Sequence, residues 1–308
     1  MANRYAGNDF NNSKMSALST ETRKAMDFLK DVLKGVVIGI ANAIPGVSGG
    51  TMMVSMGIYD NLIYCITHLF KQFKESVRTL LPYFVGMAVG IVGLAFVIEY
   101  LFEKFPFQTS MLFIGLILGG VPLLLKKVKN EKIGIPHIIA FVVLFVAIIA
   151  MQMFGKSGED VKLVIGVVPL VKLFFVGVVA SATMVIPGVS GSMMLMIMGY
   201  YNPILNAITE FVKGVASGNW NNVLTVSVSL IPFGIGVVLG IFAIAKMIEF
   251  LLARWEGITY CAILGLVASS PVVILMSTVL SGITVAVIVT GVIALAVGML
   301  IAFKLGGE

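Results

Sequence analysis

Ile44-Pro45-Gly46-Val47-Ser48-Gly49-Gly50-Thr51 returns 142 positions later as Ile186-Pro187-Gly188-Val189-Ser190-Gly191-Ser192-Met193. Each copy interrupts an apolar stretch. Proline has no N–H to donate and glycine favours turns, so each copy predicts a helix that stops and restarts. At the same offset Gly35, Val36, Val37, Met52, Met56, Gly57 and Tyr59 also meet identical residues. A second block matches at an offset of 150: Pro82, Gly86, Gly90, Glu99, Thr109, Gly115 and Leu116 meet Pro232, Gly236, Gly240, Glu249, Thr259, Gly265 and Leu266. The change of offset places an insertion near Ser217–Asn222. The chain therefore reads as a duplication, with a tail over 1–24, a first repeat over 25–155 and a second over 156–308.

Composition supplies the surroundings. Of 308 residues, 59% are hydrophobic and 12% charged, against roughly 25% charged in a soluble domain. Apolar segments fall at about 33–44, 50–70, 79–101, 107–125, 136–154, 163–186, 192–212, 223–251, 258–276 and 278–303. Several reach the roughly 20 residues that span a hydrocarbon core. The expected fold class is an all-α polytopic membrane protein of two inverted-topology repeats. Each repeat is a broken or re-entrant helical hairpin followed by three transmembrane helices. Residues 1–25 contain no apolar run, so no cleavable signal peptide is expected.

Lysine and arginine set the orientation. The run Lys126-Lys127-Val128-Lys129-Asn130-Glu131-Lys132 marks a cytoplasmic loop. Counting spans from it places only Lys104, Lys156, Lys162, Lys172 and Lys213, of 21 Lys and Arg, on the opposite side. Both termini are then cytoplasmic. Three spans plus a hairpin that returns to its own side give an odd number of crossings, so the second repeat is inverted, as in many secondary transporters.

Non-helical backbone at membrane depth is tolerated where protein or a water-filled cavity surrounds it. Two tips entering from opposite faces should meet near the middle. Restarting helices present free N–H groups, which receive anions, and the Ser48, Thr51, Ser190 and Ser192 hydroxyls add donors. Pro45, Gly46, Ser48, Gly49, Gly50 and Thr51, with Gly188, Ser190, Gly191 and Ser192, are thus candidate binding residues for a phosphate-sized anion. The competing reading is a helix break that lets two helices pack closely. Lys30 and Lys172 correspond and precede the tips by about 15 residues; they read as lures for an anionic headgroup, or as lysines snorkelling to an interface. Asn42, whose repeat partner is Met184, is either a substrate-handling or a packing amide. Glu99 and Glu249 are candidates for coupling or gating, against an interfacial ion pair of little weight.

Other classes find little support. No basic stripe interleaved with aromatics points to nucleic acid. His68 and His137 form no metal-ligand spacing, so neither metal nor cofactor is expected. Cys65 and Cys261 read as packing residues. Gly46-Val47-Ser48-Gly49-Gly50 satisfies the G-x-S-x-G pattern of a hydrolase elbow, but a membrane helix precedes it where that elbow needs a strand. Gly86-x-x-x-Gly90 and Gly236-x-x-x-Gly240 are faces for close helix packing.

The stretches GVVIGIANAIPGVSGGTMMVSMGIYDNLI and GVVASATMVIPGVSGSMMLMIMGYYNPILNAI resemble the polyprenyl-phosphate transporter family, and the resemblance extends over nearly the whole chain. It implies a flippase of the bacterial cytoplasmic membrane, not an enzyme. Such a protein returns undecaprenyl phosphate from the outer to the inner leaflet by alternating access, one repeat rocking against the other, for cell-envelope synthesis. The implied partners are polyprenyl phosphate and membrane lipids; monomer and homo-oligomer both fit. Many members of that family carry Asp where this chain has Asn42, which puts proton coupling through this position in doubt. A carrier of a small soluble anion, an intramembrane enzyme acting on lipid phosphate and a scaffold subunit are the alternatives.

Overall fold

A computed structural model describes residues 26–42, 47–129, 131–155, 158–278 and 284–306. Among these residues the chain is helical throughout, without strands. Twelve helices follow in order: α1 (26–42), α2 (Gly49–Ser55), α3 (Tyr59–Thr67), α4 (Phe73–Lys104), α5 (Pro106–Val128), α6 (Ile135–Phe154), α7 (Val167–Val185), α8 (Gly191–Ile197), α9 (Tyr201–Ser217), α10 (Trp220–Arg254), α11 (Glu256–Ser277) and α12 (Val285–Gly306). Six of them, α5, α6, α7, α10, α11 and α12, are long and apolar enough to cross a membrane. At 1.5 Å per residue, the 23 residues of α5 reach about 34 Å, enough for a core of roughly 30 Å.

Helix bounds follow the two sequence offsets. α2 and α8 correspond residue for residue at 142, and α4 and α10 end together at 150, as Lys104 and Arg254. Local chemistry recurs as well. Phe105 interrupts the chain at φ −134°, ψ 55° and Trp255 at φ −139°, ψ 59°. The carbonyls on either side keep their backbone partners, Leu101 O from Phe105 N–H and Phe105 O from Thr109 N–H, and each also accepts from the hydroxyl of the threonine that follows. Thr109 Oγ1 donates to Leu101 O at 3.1 Å and Phe105 O at 2.8 Å, and Thr259 Oγ1 to Leu251 O and Trp255 O at the same two distances. Each threonine hydroxyl thus adds a second bond across its break, tying the start of one helix to the end of the helix before it.

One difference from the sequence reading lies in 50–70 and 192–212, which were each expected to continue as one segment. Each breaks again, at Gly57 (φ 68°) and Gly199 (φ 73°). Left-handed backbone carries little steric cost only at glycine. The Gly-x-Tyr motif common to both copies therefore marks a second joint.

Packing is built on backbone-to-backbone approach at glycines. A Cβ on Gly86 would strike Val32 O of α1, and one on Gly35 would strike Tyr83 O of α4. Gly236 and Gly177 stand in the same relation to Phe174 O and Phe233 O across α7 and α10. One turn further on, Gly90 meets Val36 O and Gly240 meets Val178 O, so residue numbers rise together along each contact and α1 runs parallel to α4 and α7 parallel to α10. α5 and α11 are the most buried of the six apolar helices, and they pack together at the centre. They run antiparallel: Lys127 sits over the Tyr260 ring at one end, and Ser110 Oγ meets Thr278 Oγ1 at 2.7 Å near the other. The outer partners are exchanged between the halves. α12 packs on α5, with Gly298 against Leu112 O and Gly115 against Leu295 O, while α6 packs on α11, with Gly265 against Phe141 O. α6 and α12 leave most of their surface exposed, as helices facing lipid do.

Candidate functional site

The two interrupted segments meet. Thr51, on the first turn of α2, is fully buried. Its Oγ1 accepts from the backbone N–H of Gly188 in the second tip, at 2.7 Å. The same oxygen lies 3.3 Å from Ser270 Oγ of α11, and Ser270 in turn donates to Leu266 O at 3.3 Å. A hydrogen-bonded chain therefore runs Gly188 N–H, Thr51, Ser270, Leu266 carbonyl, linking both tips to a central helix with every member paired. Such chains strengthen cooperatively in a low-dielectric interior. Shape enforces the same junction. A Cβ on Gly50 would meet Val185 O at 3.1 Å and Ile186 O at 3.2 Å. Tyr59 OH, at the start of α3, donates to Val185 O at 3.2 Å, pairing a carbonyl orphaned at the end of α7.

Two hydroxyl groups at equivalent positions differ. Ser190 caps α8, its Oγ accepting from Met193 N at 3.5 Å and lying 2.9 Å from Ser192 Oγ. Ser48, at the same position before α2, is 4% exposed, and among the described residues its Oγ has no hydrogen-bond partner. A buried unpaired hydroxyl costs roughly 1–3 kcal/mol, so its retention calls for a reason. Beside it, a Cβ on Gly49 would fall onto both Oδ1 and Nδ2 of Asn42. The Asn42 amide thus sits against the first tip; in the second half Met184 takes that place against Gly191. Pro45 and Gly46 lie outside the described residues.

Beyond the junction, Gly188, Ser190 and Met193 share a narrow crevice with Ile148, Met151 and Gln152 of α6 and Val273 of α11. Gln152 Nε2 donates to Ser277 Oγ at 3.0 Å, while its Oε1 is buried and has no partner among the described residues. The sequence reading missed Gln152 and Ser270. Gln152 carried a readable signal, an amide alone in an otherwise apolar span, the same signal that singled out Asn42. Ser270 carried none.

The charged candidates stand apart from the tips. Lys172 lies 13 residues before the end of α7, about 20 Å along the axis. It lines an apolar groove of about 420 Å³ with Val171, Phe175, Val179, Met198 and Tyr200. Lys30 is exposed near the start of α1. Glu249 is held by Lys246 Nζ at 3.0 Å and His68 Nδ1 at 3.3 Å, an interfacial cluster that ties α10 to the end of α3. The side chain of Glu99 lies outside the described residues. A further cluster joins the first hairpin to both central helices: Asp60 Oδ2 accepts from Tyr260 OH at 2.6 Å and from Lys127 Nζ at 3.1 Å. Among the described residues no group of His, Cys, Asp and Glu could hold a metal ion.

The sequence profile of a family described as undecaprenyl phosphate translocase-like matches residues 38–290. A polyprenyl-phosphate transporter of Staphylococcus aureus is 31% identical over 247 residues, covering 78% of this chain and 83% of its own. A polyprenyl-phosphate transporter of Vibrio cholerae is 28% identical over 258 residues, covering 79% of this chain and 76% of its own. No solved structure gives a significant match.

Proposed function

The chain belongs to the undecaprenyl phosphate translocase-like family, and from that premise we propose that it carries polyprenyl phosphate from the outer to the inner leaflet of a bacterial cytoplasmic membrane. The meeting of the two tips through Thr51 and Gly188 carries this reading. A lipid phosphate crosses a bilayer slowly because its charge must leave water, whereas its tail never does. The protein must therefore replace water around the phosphate alone. In this proposal the headgroup enters between the tips, parts the Thr51–Gly188 contact, and takes donors from Ser48, Thr51, Ser190 and the Gly49, Gly50, Gly191 and Ser192 backbone. The Asn42 amide lies beside it, and the tail trails into lipid. The unpaired Ser48 hydroxyl is the donor held in waiting. Directly joined tips are then the occluded state, which blocks leakage of ions when no lipid is aboard.

Inverted repeats over 25–155 and 156–308 fit this task. The equivalent helices α5 and α11 run antiparallel, which supports the inversion. The parallel pairs α1–α4 and α7–α10 support hairpins that return to the side they entered from, because each following helix starts level with the hairpin's own start. Both termini are then cytoplasmic. The exchanged outer pairs α5–α12 and α6–α11 tie the halves to each other. The motion we propose is therefore of the hairpins against the central helices, in place of one whole half rocking against the other. Lys172 and Lys30, far from the tips, act as lures where the headgroup enters each side, and Glu249 holds a hairpin end.

Proteoliposomes containing polyprenyl phosphate in one leaflet test the proposal. The protein should move it, and should leave a soluble anion such as inorganic phosphate in place. Release of inorganic phosphate from the lipid would mark an enzyme instead. Ser48→Leu and Ser190→Leu should each insert normally and abolish transport; transport at the unaltered rate by both would remove the tips from the mechanism.

A further inference from the structure

A groove of about 620 Å³ opens between α5, α6 and α11, with no tip residue in its lining. Its walls are apolar: Leu125, Ile133, Ile138, Phe141 and Leu264 line it. One rim carries Lys126, Lys129 and His137. The basic run at the end of α5 divides between two directions. Lys127 turns to Asp60 and is neutralised at 3.1 Å. Lys126 and Lys129 turn to the groove, and among the described residues neither has a carboxylate within 4.0 Å. His137 adds an oriented donor. Its Nδ1 accepts from Gly134 N at 3.2 Å, which puts the ring proton on Nε2.

We propose that this groove docks polyprenyl phosphate on the face where the lysine-rich loop lies, the phosphate at Lys126, Lys129 and His137 and the first isoprene units along Ile138, Phe141 and Leu264. Charge selects this occupant. A phosphate monoester carries about −1.5 to −2 near pH 7 and three terminal oxygens; the phosphodiester of a common phospholipid carries a single charge and has two free oxygens. Three donor groups around an apolar slot match the monoester. The groove is also one-sided. The positions 150 residues on are Met276, Val279 and Val287, so the second half has no counterpart. A carrier built from two similar halves needs such an asymmetry if it is to hold its cargo longer at one face. This inference rests on the lipid phosphate proposed above and adds a second place for it, at one membrane face.

A polyprenyl monophosphate bearing a diazirine, reconstituted with the full-length protein and irradiated, tests it. Adducts should map to residues 133–141 and to Cys261 or Leu264. Unlabelled polyprenyl phosphate should suppress them, whereas equal amounts of phosphatidylglycerol or neutral polyprenol should not. Lys126→Gln with Lys129→Gln should lower the yield about tenfold. Lys71→Gln with Lys74→Gln, which removes the same charge from the same face elsewhere, should leave it unchanged. Equal suppression by phosphatidylglycerol, equal loss with both lysine pairs, or transport in the same vesicles without groove adducts would each overturn the groove. Groove adducts in vesicles that show no transport would leave the groove standing and remove the transport reading.

Discussion

Thr51→Val replaces a buried hydroxyl by a methyl of nearly the same shape, so it opens no cavity and tests the tip junction by chemistry alone. Ser270 keeps its bond to Leu266 O. The loss falls on the Gly188 N–H, whose 2.7 Å acceptor disappears. An interior amide left without a partner costs about 1–3 kcal/mol. Gly188 is half-buried, so the lower part of that range applies, and the ratio of joined to parted tips should fall about five- to thirtyfold. Hydrogen exchange read on a peptide covering 186–192 measures that ratio locally. Exchange at Gly188 should speed up by that factor, while amides of α11 beyond Ser270 stay protected. Thr51→Ser, which keeps the acceptor, should restore protection. Unchanged exchange in Thr51→Val, or no recovery in Thr51→Ser, would refute the bridge between tips.

Ser48→Ala should leave thermal stability in detergent unchanged or raised by about 1 kcal/mol, because it removes an unpaired buried hydroxyl, yet should slow lipid phosphate transport; a large loss of stability would mean that Ser48 has a structural partner. Gly86→Ala drives a methyl into the Val32 carbonyl and should destabilise by about 1–3 kcal/mol, whereas Gly234→Ala, with nothing within 4 Å of the added carbon, should be neutral or stabilising by up to about 1 kcal/mol through helix propensity; equal melting temperatures for the two would refute the α1–α4 contact. Tyr260→Phe should cost about 1 kcal/mol, a charge-assisted bond discounted for the exposure of Asp60, with little further loss when Asp60→Asn is added; additive losses would show that the two groups act independently.

Much of this architecture could be read from the sequence because its causes are local. A proline followed by glycines stops a helix wherever it sits, and small residues four apart predict close approach, so the breaks at the tips and the roles of Gly86, Gly90, Gly236 and Gly240 were legible. The second joint at Gly57 and Gly199 was not, because one glycine in an apolar run reads equally as a packing site until its backbone angle is known. Long-range pairings were invisible for another reason. Thr51 meets Gly188 and Ser270, and Asp60 meets Tyr260, across separations of well over a hundred residues, and nothing in a single sequence couples such positions. The charged residues were the hardest to place. Lys172 was conspicuous for the cost of burying it, yet the structure relieves that cost by leaving it exposed in a groove near one end of α7, far from the tips.

The exchange of outer helices bears on how the molecule comes into being. α5 leaves the ribosome early, but the glycine face around Gly115 waits for Gly298, close to the end of the chain. α6 likewise waits for α11. During synthesis the first half can therefore close its own α1–α4 seam, whereas the outer faces of α5 and α6 stay covered by lipid until α11 and the 22-residue α12 have followed. Ending the chain before Val285 should leave a protein that inserts, spans and is degraded. Supplying α12 as a separate peptide should rescue it, since the seam it fills is already formed.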